Sequence, residues 1–298
     1  MCGIVGLFLK APSLEPQLGA LLSTMLETMT DRGPDSAGFA VYGDTAAGVK
    51  LTLRGADARA LATVVTRLEA ATGQQACAAR ARDTHTVLTV DAAAADAVRA
   101  WLADHAPEID VVSAGRRMEI YKEVGLPAAV ADRFDLAGMA GSHGIGHTRM
   151  ATESAVTTNG AHPFSTGLDE CLVHNGSLSN HNDLRRRLRR EGMRFATSND
   201  TEVAAGYLSW RMRAGDSLEE ALRASLTDLD GFFTFVVGTR TGFAVLRDPI
   251  ACKPAVMAET DAYVAFGSEY RALVGLPGIE SARVFEPEPA KVYAWERH

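Results

Sequence analysis

An apolar run at residues 4–9 stands directly behind a cysteine in the opening stretch Met1-Cys2-Gly3-Ile4-Val5-Gly6. That arrangement limits what the chain can fold into more than any other feature. A short apolar run bounded by Gly3 and Pro12 reads as a buried strand. Such a strand would hold Cys2 at the edge of the interior, away from the frayed state usual for a terminus. If Met1 is removed, Cys2 carries a thiol and a free α-amino group on one residue. The amine has an ordinary pKa of about 7.7–8.0, so part of it is neutral near pH 7. A general base works best when its pKa lies near the working pH, and a thiol is a strong nucleophile even when little of it is ionised. One reading of Cys2 is therefore a nucleophile with its own base. The other is a small residue at a chain end. A lipidated cysteine is disfavoured, because no apolar segment precedes it.

Composition narrows the class. With 298 residues, 47% of them hydrophobic, the chain can bury a sizeable core in one large domain or two small ones. A net charge of −7 argues against a nucleic-acid surface. No apolar run is long enough to span a membrane and no signal peptide is evident, so a cytoplasmic protein is expected. The four cysteines, Cys2, Cys77, Cys171 and Cys252, are scattered without a C-x-x-C pair. That pattern fits a reducing compartment and predicts neither a disulfide frame nor a zinc site.

Along the chain, Leu18, Leu22, Met25 and Met29 recur at helical spacing and predict a core-facing helix. Residues 31–38, with two glycines and a proline, read as a shaped loop. Strands are expected near 39–42 and 49–53. Residues 55–117 differ in texture, rich in Ala, Asp and Arg, and alternate strand-like and helical stretches. They predict a small inserted α/β subdomain with its own sheet. His85 and His105 within it read as surface residues. Further on, His147-Thr148-Arg149 closes a strand, and His174 precedes Asn175-Gly176, which is first of all a turn signal. The same pair can also present a side-chain amide beside an unhindered N–H, the donors an oxyanion hole needs. Residues 182–194 form an arginine-rich helix, read as a solvated face or a docking patch for an acidic partner. Asp200 reads as a helix N-cap. Helices near 201–210 and 218–229, then several short strands to 295, complete an α+β pattern.

Taken together, Cys2, Arg149, Asn175-Gly176 and Asp200 form a full set for amide hydrolysis. They supply a nucleophile, oxyanion donors, a cation for a carboxylate and an anion for an ammonium group. At this point the sequence resembles the class II glutamine amidotransferases, N-terminal-nucleophile hydrolases that take ammonia from glutamine. The resemblance rests on ordered motifs: Cys2-Gly3-Ile4-Val5-Gly6, Arg32-Gly33-Pro34-Asp35-Ser36-Ala37-Gly38, His147-Thr148-Arg149, Asn159-Gly160-Ala161-His162-Pro163, His174-Asn175-Gly176, Asp200-Thr201-Glu202, Arg247-Asp248-Pro249 and Ser268-Glu269. They cover residues 2–54 and 118–298, so the amidotransferase domain is expected to run over 2–298 with the insertion inside it.

The resemblance implies a four-layer αββα sandwich. It makes Cys2 the nucleophile and its amine the base, with Asn175 and Gly176 as the oxyanion hole. Arg149, helped by Thr152, would bind the glutamine carboxylate, and Asp200 the ammonium group, with no metal involved. Met150 stands where many members have an aromatic residue, and Glu153 where many have His. Neither departure removes a catalytic group. The absence of an acceptor domain after these motifs, together with the insertion and the Met150-Ala151-Thr152-Glu153-Ser154 run, resembles the split glutamate-synthase-like complexes. The resemblance extends to the amidotransferase subunit of N-methylglutamate synthase. It implies a glutamate-synthase-like structural-domain subunit and an FMN-binding barrel subunit as partners. FMN and iron–sulfur groups would lie on those partners and no cofactor on this chain. A subunit of a different synthase, an N-terminal-nucleophile hydrolase of another amide, and a non-catalytic glutamine-sensing or scaffold subunit are the alternatives.

Overall fold

The computed structural model describes residues 2–73, 78–151 and 155–297. Thr152 and Glu153, together with Met1 and Cys77, lie outside the described residues. In chain order the elements are β1 (Gly3–Leu9), α1 (Leu18–Glu27), β2 (Ser36–Tyr42), β3 (Val49–Arg54), α2 (Ala58–Thr72), β4 (Ala78–Arg82), β5 (His85–Val90), α3 (Ala95–His105), β6 (Asp110–Gly115), β7 (Met118–Val124), α4 (Pro127–Arg133) and β8 (His143–Arg149). They continue with β9 (Phe164–Gly167), β10 (Glu170–Leu178), α5 (His181–Arg190), α6 (Asp200–Arg213), α7 (Leu218–Asp228), β11 (Gly231–Gly238), β12 (Gly242–Arg247), β13 (Val256–Glu259), β14 (Tyr263–Gly267), β15 (Arg283–Phe285) and β16 (Val292–Glu296).

The side-chain period of two decides how these strands stack. In β1, Val5, Leu7 and Leu9 face α1 and α4, where they pack with Leu22, Met25, Leu26 and Val130. Ile4 and Phe8 face the other way and meet Val173 of β10, Val236 of β11 and Phe243 of β12. The strand is therefore buried on both faces, as its unbroken apolar run requires. A seven-stranded antiparallel sheet, β15-β13-β14-β1-β8-β2-β7, carries it near the middle. A five-stranded sheet, β16-β12-β11-β10-β9, stacks on that sheet and buries its far face under α5, α6 and α7. The result is the four-layer αββα sandwich. Among the described residues no helix is long and apolar enough to cross a membrane.

The inserted unit is a four-stranded sheet, β4-β5-β3-β6, packed on α2 and α3. Its β-α-β-β-α-β order is a ferredoxin-like arrangement. Its central strand is β3, Val49–Arg54, which precedes the 55–117 range read from composition, because Leu51 and Leu53 pack into the inserted core. Two other expectations change. His85 is fully buried, with its ring 4.7 Å from that of Phe134 and 5.7 Å from that of Tyr121, at the seam between the unit and the main body. Ser36, Ala37 and Gly38 belong to β2, so the shaped loop is shorter than residues 31–38.

β7 has no clear sequence signal because Glu119, Lys122 and Glu123 make it read as surface, yet all three are buried. Glu119 lies between Lys50, 3.1 Å away, and Arg80, both from the inserted sheet, and those cations hold its carboxyl below its ordinary range against the opposing effect of burial. Asp169 ties the unit to the main sheet. Its carboxylate accepts from the backbone N–H groups of Arg116 and Arg117, each at 2.8 Å, and of Met118 at 2.9 Å. Its own N–H donates to Ala114 O at 2.8 Å.

Hydrogen bonds to a charged group contribute about 1.5–3 kcal/mol each, and their loss leaves buried donors unpaired. Asp169→Ala is therefore expected to lower the unfolding free energy by about 2–4 kcal/mol in a urea titration. Asp169→Asn, which keeps one acceptor oxygen for Arg117 N and Met118 N and tolerates the positive φ of 57° at this position, should lose less. An unchanged unfolding free energy in Asp169→Ala would show that the carboxylate is not the tie.

Candidate active site

Cys2 leads into β1, and two donors grip its carbonyl. Arg32 Nε and Asn175 Nδ2 each lie 3.0 Å from Cys2 O. The residues that follow are fastened as well. Gly3 N donates to Thr148 Oγ1 at 3.2 Å, Ile4 N donates to Ser268 Oγ at 2.9 Å, and Ser268 N returns a bond to Ile4 O at 2.9 Å. Arg32 is held in turn by Glu269 at 2.6 Å, and Glu269 by Arg271 at 2.7 Å. The bond from Arg32 draws the Glu269 carboxyl below its ordinary range. Gly33 lets the chain cross β8 here, since a Cβ at this position would lie 2.4 Å from the Thr148 carbonyl carbon. The Cys2 thiol is half-buried and lies 3.5 Å from the Met150 N–H.

β10 runs through Asn175-Gly176 without turning, contrary to the turn signal of that pair. The pairing of Asn175 with Thr234 and Gly176 with Phe233 on β11 overrides it. Gly176 has φ +152°, and a Cβ there would sit 1.9 Å from Phe232 O, so glycine is required. Asn175 Nδ2 donates to Cys2 O and reaches Ser268 Oγ at 3.4 Å, while Asn175 Oδ1 faces His147 Nε2 at 3.3 Å.

A cleft of about 700 Å³ lies beside these groups, lined by Arg149, Asn159, Gly160, Ser177, Asn199 and Asp200 among others. Arg149 is buried at the end of β8 and reaches Ala155 O at 3.4 Å. Asp200 is the first residue of α6. Asn199, not Asp200, is the N-cap, accepting from Thr201 N at 2.8 Å. Asp200 Oδ2 accepts from Leu178 N at 3.0 Å, so α6 and β10 share this carboxylate. Cys2, Arg149, Asn175, Gly176 and Asp200 are thus brought to one region; Thr152 is among the residues not described.

Other residues support the site in ways that the sequence reading did not assign. Arg185, on the arginine-rich helix, is buried and donates to Asn199 O at 3.0 Å, so that helix is not wholly a solvated face. Glu202 accepts from Ala196 N, Thr197 N and Thr197 Oγ1, each at 2.7 Å, and shapes another wall of the cleft. The inserted unit also reaches the site: Arg54 donates to Asn159 Oδ1 at 3.3 Å, and Asn159 Nδ2 to Asp110 Oδ1 at 3.4 Å. Lys122 donates to Ala161 O at 2.8 Å from the main sheet, and burial pushes its pKa down to about 8. Among the described residues no cluster of His, Cys, Asp or Glu could hold a metal ion.

Comparison with known proteins gives the same direction. The glutamine amidotransferase domain profile matches residues 147–275. A "glutamine amidotransferase-like protein GlxB" of Rhizobium meliloti is 64% identical over 99% of this chain and 98% of its own length. The chain belongs to the class II glutamine amidotransferase family. A putative glutamine amidotransferase of Methanothermobacter thermautotrophicus is 33% identical over 98% of this chain and 99% of its own length. Among solved structures, glutamine phosphoribosylpyrophosphate amidotransferase from B. subtilis, complexed with ADP and GMP, aligns with a TM-score of 0.63 at 20% identity. The alignment takes in 99% of this chain and 47% of that one, so this chain spans about half of its length. At that identity the likeness bears on the fold alone.

The amidotransferase buries several neutral histidines, with His147, His162 and His174 behind this site and His85 and His143 elsewhere in the body. Burial pushes His85, His143 and His147 each down to about 3, and it lowers His162 and His174 as well. An unfolded histidine, with an ordinary pKa of about 6.5, takes up a proton as pH falls from 7 to 5, whereas these folded ones do not. Stability therefore rises with pH across this window. Each of the three costs roughly 2 kcal/mol at pH 5 relative to neutral pH. Paired carboxylates such as Glu119 and Glu269 contribute only below this window, since their folded values lie under the ordinary 4.5. The urea midpoint is expected to drop steeply from pH 7 to pH 5, and an unchanged midpoint would contradict neutral burial.

Proposed function

We propose that this chain hydrolyses L-glutamine to glutamate and ammonia through a Cys2 thioester, as the amidotransferase subunit of a glutamate-synthase-like complex. The observation that carries the reading is the placement of the Cys2 thiol beside Met150 N, next to a cleft with a buried arginine and a carboxylate among its walls. A free amino acid has one group for each. Arg149 would take the α-carboxylate and Asp200 the α-ammonium group. The side-chain amide would then extend toward Cys2.

In this scheme Met1 is absent from the working enzyme, and the α-amine of Cys2 accepts the thiol proton. Sγ attacks the amide carbon, and the negative charge moves to the amide oxygen. Asn175 Nδ2 meets that oxygen by exchanging its longer contact, the 3.4 Å one to Ser268 Oγ, while it keeps Cys2 O. The Gly176 N–H is the second donor. The proton held by the amine passes to the departing nitrogen, the C–N bond breaks, and ammonia leaves. Water then attacks the thioester, gives its proton to the amine, and releases glutamate and the free thiol.

The finer assignment is to N-methylglutamate synthase, with a structural-domain subunit and an FMN-binding barrel subunit as consumers of the nitrogen in a cytoplasmic complex. It is supported by the Met150–Ser154 motif and the inserted unit. Co-purification from the native host tests it: recovery of this chain with neither subunit would remove this assignment and leave the glutaminase reading intact. The contacts of Arg54 and Asp110 with Asn159 give the inserted unit a grip on one wall of the cleft. A docked partner would therefore be expected to raise kcat more than it lowers KM.

Cys2→Ala is expected to abolish glutamine hydrolysis while leaving the unfolding midpoint close to wild type. Arg149→Lys keeps the charge but loses the planar fork. It should raise KM for glutamine roughly tenfold to a hundredfold, the loss of one or two charge-assisted bonds, with a much smaller change in kcat. Steady-state ammonia release measures both. An unaltered KM in Arg149→Lys would remove Arg149 from the carboxylate site.

A further inference from the structure

Behind the Cys2–Asn175 pair three buried imidazoles stand together, and the thioester scheme uses none of them. His147 lies on β8, His174 on β10 and His162 on the segment between them. The rings of His147 and His162 stack with centroids 4.0 Å apart. His162 Nε2 lies 3.2 Å from Thr201 Oγ1, and the same hydroxyl lies 3.0 Å from His174 Nδ1. His162 and His174 share that hydroxyl while His147 turns its Nε2 toward Asn175, so the three rings have no common point as metal ligands would.

The partners fix both the amide and the proton. Cys2 O has only lone pairs, so the NH₂ side of Asn175 faces it at 3.0 Å and the oxygen side faces His147. His147 Nε2 then confronts two acceptors, Asn175 Oδ1 at 3.3 Å and His174 O at 3.2 Å, and must carry the hydrogen. His147 Nδ1 is buried and meets no hydrogen-bond partner among the described residues, so it carries none. Turning the amide over would set Oδ1 against Cys2 O and an N–H against an N–H.

We propose that His147 is the positioning residue for the Asn175 amide, acting as the neutral Nε2–H tautomer with its ring plane held by His162. This rests on the glutaminase reading and adds to it. His147 donates one shared hydrogen bond, exchanges no proton with substrate, and keeps the Nδ2 hydrogens turned toward Cys2 and the reacting amide. Burial, with His174 and Arg149 nearby, keeps the ring neutral.

His147→Phe keeps an aromatic ring for the stack and removes the donor. It is expected to lower kcat for glutamine hydrolysis roughly tenfold, the size of one hydrogen bond of about 1.4 kcal/mol, with KM changed less than about twofold. The double variant His147→Phe/Asn175→Ala should be no slower than Asn175→Ala alone, and His147→Gln, which retains an N–H, should recover part of the loss. Wild-type kcat in His147→Phe, or multiplied losses in the double variant, would overturn the proposal. Long-range ¹H–¹⁵N correlation on the wild-type chain at pH 7 gives a readout that needs neither activity nor a variant. A hydrogen on Nε2 alone is expected, and one on Nδ1 would overturn the assignment. Absent glutamine hydrolysis in a wild-type chain showing the expected tautomer would overturn the glutaminase reading and leave this hydrogen bond standing.

Discussion

The site depends on the two hydrogen bonds that close on the carbonyl of Cys2. Arg32 delivers one from the segment that follows α1, and Asn175 delivers the other from β10 in the facing sheet. A residue at the start of a chain normally loses nothing by fraying. Here, release of Cys2 would leave a buried guanidinium and a buried amide with unpaired donors, each a loss of about 1–3 kcal/mol. β1 supplies the rest of the anchorage, since Ile4 and Val5 are fully buried on opposite faces of the same strand. The sandwich holds Cys2 in place by burying the strand behind it.

The same bond makes Asn175 a junction. Its amide touches Cys2 on one side and a buried imidazole on the other. Through His174 and Thr201 the adjoining hydrogen bonds reach Asp200 on α6. The groups that would grip the α-carboxylate and α-ammonium of glutamine thus hang from the end of β8 and the start of α6, both held by hydrogen bonds. Such a network fixes geometry only while its members keep one protonation state. Burial of the histidines secures that at neutral pH and makes acid the vulnerable direction.

Much of this was legible in the sequence where a single segment carries the signal. The apolar run behind Cys2, the helical stripe of Leu18, Leu22 and Met25, and the ordered motifs at Arg149, Asn175 and Asp200 each mark local structure or local chemistry. What could not be read needs a partner from elsewhere in the chain. Glu119 and Lys122 look exposed until the inserted sheet supplies Lys50 and Arg80 and residues 159–163 supply carbonyls. Asn175-Gly176 reads as a turn until β11 pairs with it. His85 reads as surface until Phe134 and Tyr121 close over it. The range of the inserted unit was read too late in the chain because composition changes after β3, whereas pairing begins with it.

The account stands on Cys2 acting as a chain terminus that takes the glutamyl group. The most direct measurement is peptide mapping by mass spectrometry of the wild-type protein, acid-quenched during incubation with glutamine. The account predicts an N-terminal peptide that begins at Cys2, lacks Met1 and carries a glutamyl adduct on that residue. A protein that hydrolyses glutamine while its N-terminal peptide still carries Met1, or whose adduct maps to Cys171 or Cys252, would contradict it.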